Sequence, residues 1–401
     1  MGIFVKTDVM ININKYESEP IFIQLREKFP EHPVTIITEP SALHDYVYGH
    51  AHNRQLIFRG CVFTYPFEFS ELLEISGAND ILGVNFKYCL FEDIVSIRRI
   101  DIGFQVFMSD ICFNSGMDIL NAHFRMIFSL KQTVFKSNFF ILGATFDSSV
   151  VLDTVSANRI EIARSDFNKE LSCLIFKDVS EFRIEGINVR RLNFHTFIKT
   201  HLVLIDISIS DFFKCYDMSL EGLNINGLSF LNGYLLAGNL NVERINRETS
   251  RLIKHEAYRA NNQILGIEYK VREMNEYMKE VRHWKTASTY LLLLFNRWSN
   301  NFGKSWTRGI LFTVVCWVLF YGTFVVLRDI VGNQSILSTT EYIKEFVNYL
   351  WLLNGLSGLL DDTGNTCWWL AIVLVVVFVL GKILIGYGIY QTIAAFRRLS
   401  K

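Results

Sequence analysis

Between residues 51 and 240, short apolar runs alternate with polar residues at a period of two or continue as β-branched and aromatic stretches. They include QLIFRGCVFT, ILGVNFKYCLF, TVFKSNFFILGATF, NRIEIARSDF, SEFRIEGINVRRLNF, HLVLIDISISDFF and GLNINGLSF. A 3.6-residue repeat is poor there, so the pattern predicts strands of about 4–6 residues. Turns rich in Asn, Asp, Ser and Gly separate them. An aromatic closes a short run at Phe86, Phe113, Phe146, Phe167, Phe194, Phe212 and Phe230, with spacings from 18 to 33 residues and several near 20. A coil of a three-sided parallel solenoid takes roughly 20 residues, so stacked irregular coils would give this spacing. The expected fold of 51–240 is a right-handed parallel β-solenoid, a mainly β domain. An antiparallel β-sandwich has the same strand content, but hairpin turns are scarce: within this stretch only Asn226-Gly227 and Asn232-Gly233 occur.

The flanks read differently. Residues 1–50 form a mixed α/β cap, with a short helix entered through Pro20 and a strand at VTIIT. Residues 241–305 form a helical linker. RINRETSRLIKHEAYRANN and QILGIEYKVREMNEYMKEVRHW carry matching apolar stripes, joined near Asn261 and Asn262, with Asn262 a suitable N-cap. TASTYLLLLFNRWSNNFGKSW follows, with the composition of a segment lying among lipid headgroups. Residues 306–401 form a transmembrane module with spans at about 307–328 and 367–396. Gly309–Leu327 and Thr363–Gly381 are each 19 residues without a charge. At 1.5 Å per residue each covers about 28 Å, close to the roughly 30 Å of bilayer hydrocarbon. The interface anchors are Trp298, Trp306, Arg308, Trp368, Trp369, Arg397 and Arg398. Extended to Phe396, the second span is about 45 Å long and must tilt, kink at Gly381, Gly386 or Gly388, or protrude.

Charge sets the expected orientation. Residues 1–240 hold 21 basic and 28 acidic groups, and residues 241–308 hold 13 and 7. The loop 328–366 holds two basic and five acidic groups, whereas basic residues flank the other ends of both spans. Both termini are expected on the cytosolic side of the membrane. The start, MGIFVKTDVMININKYE, has neither an apolar core nor a cleavage site of the signal-peptide kind, and Lys6 stands where myristoylation needs Ser or Thr. Five cysteines (Cys61, Cys89, Cys112, Cys173 and Cys215) sit in apolar strand-like runs without CxxC spacing, and read as reduced, buried side chains. No P-loop, GxSxG, HExxH or paired carboxylate emerges, so neither an enzyme nor a cofactor is expected. His44, His50 and His52 read as a solvated loop rather than a metal site.

Within the loop, EYIKEFVNYLWLLNGLSGLLDD opens as an amphipathic aromatic helix and closes on Asp361 and Asp362. Two placements fit a segment at 341–360: a short re-entrant helix with the acids ringing a pore mouth, or a helix flat on the outer leaflet. Lys382 lies about 22 Å along the second span from Cys367. It either lines an inner vestibule or snorkels to the interface, although Cα–Cβ bonds tilt the wrong way for the latter. Gly386-Tyr387-Gly388 matches the GYG triplet of potassium filters, but only 13 residues follow it, so these glycines read as packing or hinge positions.

RLIKHEAYRANNQILGIEYKVREMNEYM, FNRWSNNFGKSWTRGILFT and KILIGYGIYQTIAAFRR resemble, over residues 251–401, bacterial, Bacteroidetes-like pentapeptide-repeat and related β-solenoid proteins that end in an ion-channel-like two-helix hairpin. The A-(D/N)-L-x-x repeat is largely absent here, so the coils are looser. The resemblance extends to antiviral channel effectors of the Hailong type. It implies a homo-oligomer, a tetramer by analogy, gated by an anionic cytosolic ligand such as a nucleotide or oligonucleotide. The competing expectation is a membrane-tethered scaffold that binds a protein partner on the solenoid without conducting.

Overall fold

The computed structural model describes residues 16, 19–29, 33–52, 54–74, 81–231, 234–281, 287–332, 339–351 and 368–399. The chain divides into two compact units, Met1–Thr249 and Ser250–Lys401.

The first unit is a parallel β-solenoid of about nine turns. Among the described strands the pairing is parallel throughout, apart from Ala51–His52 against Gln55–Arg59. The sandwich alternative is thereby excluded. The ladder starts at Thr35–Ile37, paired with Cys61–Phe63, so it reaches into the segment read as a cap. Extended pairing continues through Asn188–Phe230 and Tyr234–Ile245.

Register puts like on like. On one face Val84, Val106, Phe128, Val150, Leu171 and Leu192 are successive partners. On a second, Ile97, Ile119, Ile141, Ile162, Ile184 and Leu204 follow one another. On a third, Ile102, Phe124, Phe146, Phe167 and Val189 do so. Parallel strands lie about 4.8 Å apart, and this spacing suits offset ring stacking. Accordingly Phe63–Phe91, Phe91–Phe113 and Phe113–Phe135 stack at 4.4, 5.0 and 4.6 Å, and Phe124–Phe146 and Phe146–Phe167 at 4.8 and 5.0 Å.

The irregular aromatic spacing now has a cause. Phe86, Phe113 and Phe146 belong to different stacks, so their separation does not measure the coil. The coil is measured by its corners. Left-handed backbone recurs at Tyr88, Asp110, Gln132, Thr154, Ile175, Thr196 and Asp217, and at Arg99, Asn121, Gly143, Arg164 and Gly186, every 21 or 22 residues. Phe212 closes a run without facing the core. The inward residue of that pair is Phe213, while the Phe212 ring lies on the outer side under Arg191 and Lys214.

Among the described residues, three helices with stated bounds decorate this unit. Helix α1 (Pro20–Lys28) lies on the outer surface of the first coils, packing Ile21, Phe22 and Leu25 onto Val62, Tyr88, Leu90 and Cys112. Helix α2 (Pro40–His50) meets the first coil, with Tyr46 stacked on Phe58 at 5.1 Å, continuing the Phe58–Phe86 stack by one ring. Helix α3 (Ser70–Glu74) is a single turn held by a Tyr65–Glu71 hydrogen bond. At the other end, the Thr249 hydroxyl receives the Ile225 N–H at 2.9 Å, meeting one edge group that no further strand pairs.

The second unit is helical. Helices α4 (Arg247–Arg259) and α5 (Gln263–Glu280) are joined where predicted, and the Asn262 side chain caps α5 by accepting the Leu265 N–H. Lys254 and buried Glu273 tie the two helices at 2.6 Å. Helix α6 (Ala287–Asn300), a 3-10 turn, helix α7 (Trp306–Gly332), helix α8 (Thr339–Leu350) and helix α9 (Trp368–Leu399) follow. Two of these are long and apolar enough to cross a membrane, over Trp306–Asp329 and Ile372–Arg397.

Candidate functional site

The two apolar helices pack antiparallel. Trp306 meets Phe396 at one end of the pair, and Phe324 meets Phe378 further along. Between them the backbones approach at small residues. A Cβ on Gly388 would strike Thr313, one on Gly309 would strike Thr392, and one on Gly381 would strike Phe320 and the Tyr349 hydroxyl. Gly381 and Gly388 are therefore packing positions, while Gly386 is half-buried nearby. Helix α9 runs unbroken through all three, so these glycines do not interrupt it.

Helix α8 turns back along this pair. The Tyr321 hydroxyl donates to the Tyr342 carbonyl at 3.0 Å, and the Trp317 indole N–H donates to the Phe346 carbonyl at 2.8 Å. The rings of Trp317 and Phe346 stack at 4.0 Å. Arg328 donates to Glu345 at 2.7 Å. Tyr349 is buried among Tyr321, Phe324 and Phe378. Trp317 lies near the middle of the apolar stretch Trp306–Asp329, so α8 runs back to a level midway along α7.

Lys382 is at that level. Its Nζ donates to the carbonyls of Tyr349 at 2.8 Å and Trp351 at 2.6 Å, and sits 5.0 and 5.2 Å from the ring centroids of Tyr349 and Phe378. Neither sequence reading anticipated this. Lys382 caps the carboxyl end of α8 within its own chain, where helical carbonyls lack partners and the helix dipole is negative. The side of α8 turned away from α7 and α9 has two exposed strips: Glu341, Lys344 and Asn348 make a polar one, and Ile343 and Val347 an apolar one.

At the other end, buried amides bind α6 to α9. Asn300 donates to the Gln391 side-chain oxygen at 2.5 Å, while Gln391 and the Tyr387 hydroxyl both donate to the Asn296 oxygen, at 3.0 and 2.9 Å. Asn300 also takes the Gly303 N–H. This cluster was not singled out from sequence, although amides in otherwise apolar helices were the available signal. Of the anchors, Trp298 is 61% exposed on α6 and Trp306 is exposed at the start of α7 beside Arg308. Trp369 is exposed at the start of α9 and Arg397 at its end. Trp368 and Arg398 lie in α9, but their side chains are outside the described set, as are Asp361, Asp362 and the second half of the predicted re-entrant segment.

In the solenoid, burial pushes the thiols of Cys89, Cys173 and Cys215 upward, which suits small apolar fillers. His123 bridges Asp147 at 2.8 Å and Asp101 at 3.5 Å along one corner, and its hydrogen bond holds the Asp147 carboxyl low. A groove of about 620 Å³ runs beside α1, lined by Ile21, Cys112 and Val134 with Lys136, Lys177 and Asp178. No cluster of three metal-ligating side chains occurs among the described residues. In comparisons with known proteins, no family model, curated protein or solved structure matches the chain.

Proposed function

We propose that the chain is a subunit of a homo-oligomeric membrane ion channel or pore, with the solenoid and both termini in the bacterial cytosol. The observation that supports it is the return of α8 to mid-span with a polar strip on its outer side. A backbone segment at membrane depth needs protein or water around it, and Glu341, Lys344 and Asn348 facing hydrocarbon would be costly. A water-filled path lined by this strip satisfies both conditions. One pair of spans cannot enclose such a path, so several copies surround it, four by analogy. The lipid bilayer is the partner of the outward apolar faces. Gating by an anionic ligand such as a nucleotide, and a role in antiviral defence, rest on the family resemblance and on the basic segment 241–308.

Purified chain in liposomes is expected to carry ions. Asn348→Cys should make that flux sensitive to a charged thiol reagent, and Val347→Cys should not, with the parent controlling for native cysteines. Liposomes no leakier than empty ones would leave the scaffold reading, which the groove beside α1 favours as a site for a protein partner.

A further inference from the structure

We propose that the carboxyl end of α8 is a monovalent-cation site that Lys382 fills from within the same chain. The ligand class of the site is a primary ammonium or a partly dehydrated alkali ion. The inference stands on local geometry and does not depend on conduction.

Helix α8 ends with carbonyls that have no partner further along the helix. One is met locally, since the Trp351 N–H donates to the Asn348 carbonyl at 3.1 Å. The carbonyls of Tyr349 and Trp351 converge instead on a single point, where the Lys382 ammonium sits at 2.8 and 2.6 Å. Among the described residues, two aromatic faces also meet the ammonium, Tyr349 and Phe378 at 5.0 and 5.2 Å, inside the range at which rings attract cations. Two neutral oxygens, two ring faces and the negative end of a helix all favour positive charge, and the first two are ligands that soft-shelled monovalent ions accept.

The stem of Lys382 reaches this point from α9 beside Gly381. Gly381 is constrained too, because a Cβ there would meet the Tyr349 hydroxyl. The ammonium is therefore held by a stem anchored next to the glycine that leaves room for the Tyr349 hydroxyl against α9. Removing the stem and its charge leaves a channel-shaped void leading to an unfilled cation site. A free alkylammonium of matching length restores both parts, whereas an alcohol of the same length restores only the filling.

The test uses the full chain in nanodiscs and follows thermal unfolding. Lys382→Ala is expected to lower the Tm by on the order of 3 °C. Millimolar n-propylammonium should recover most of that loss, with n-propanol and tetramethylammonium recovering little and the parent unmoved by any of them. Equal recovery by propanol would mean a packing gap only, and no recovery by propylammonium would mean no cation site; either overturns the proposal. If Lys382→Ala does not fold, Lys382→Met keeps the stem volume without the charge. Its Tm should then rise when potassium replaces choline at constant ionic strength, while the parent's does not. A Lys382→Met protein indifferent to the cation would overturn the proposal equally.

Discussion

The solenoid and the helical unit expose opposite kinds of side chain. In the solenoid, the interior is Phe, Ile, Leu and Val stacked coil on coil, and charged pairs such as Arg159–Glu181 and Arg190–Asp211 run along the outside. In the helical unit, Asn300 at 2% exposure and Gln391 at 9% lie inside, and Leu311, Leu319, Val376 and Ile383 lie outside. Only 17% and 28% of the two apolar stretches are buried. The same kinds of apolar side chain are thus enclosed in one unit and bare in the other. Water drives Phe inward in the coils, and helices that leave Val and Leu bare while pairing their amides internally suit hydrocarbon.

The contrast is broken most forcefully by the same kind of substitution in both units. Ile141→Asp places a charge in a core position that is 0% exposed, and more than about 4 kcal/mol of destabilisation is expected. Limited proteolysis should then digest the solenoid. Val376→Asp changes a residue that is 48% exposed, which in a water-facing helix alters stability by less than about 0.5 kcal/mol. In a membrane span it should cost about 3 kcal/mol and shift the chain out of the fraction that resists alkaline extraction. Unchanged extraction would place α9 in water and end the comparison.

The buried amides sharpen it. Asn300→Ala leaves Gln391 with its side-chain oxygen unmet in an apolar setting, and a loss of about 1–3 kcal/mol is expected. Gln391→Leu removes a different member and leaves the Asn300 amide N–H only the backbone carbonyl of residue 391, at 3.3 Å. The double variant Asn300→Ala, Gln391→Leu should recover part of the loss, because apolar replacement of both partners removes the unpaired group. Additive losses, read from thermal unfolding in detergent, would show that the pair is not a unit.

The smallest effects concern the solenoid corners. Gly143 has φ of +66°, and a Cβ there would strike the Asn121 side chain one coil away. Gly143→Ala should cost about 1–2 kcal/mol. Arg164 holds the next corner at φ of +50°, a conformation that favours glycine. Arg164→Gly should gain about 0.5 kcal/mol, seen as a rise of about 1–2 °C in the solenoid's unfolding midpoint. A loss of stability instead would mean that Arg164 contributes through its side chain.

What the sequence determined by itself was local. Period-two apolar runs predicted strands, charge-free stretches such as Gly309–Leu327 predicted long apolar helices, and Asn262 predicted a helix start; each depends on neighbours a few residues away. The coil repeat is blurred in the aromatic spacing, because those aromatics belong to different stacks, and the 21- or 22-residue interval lies in the corners. Tertiary structure alone decided the rest. Phe213 rather than Phe212 turns inward because register with Leu235 settles it. Lys382 finds carbonyls 33 and 31 residues earlier, and Asn300 finds Gln391 at a separation of 91. Such partners leave no trace in local periodicity, because they are chosen by how whole helices dock, and docking depends on small residues such as Gly388 whose effect lies across the interface rather than along the chain.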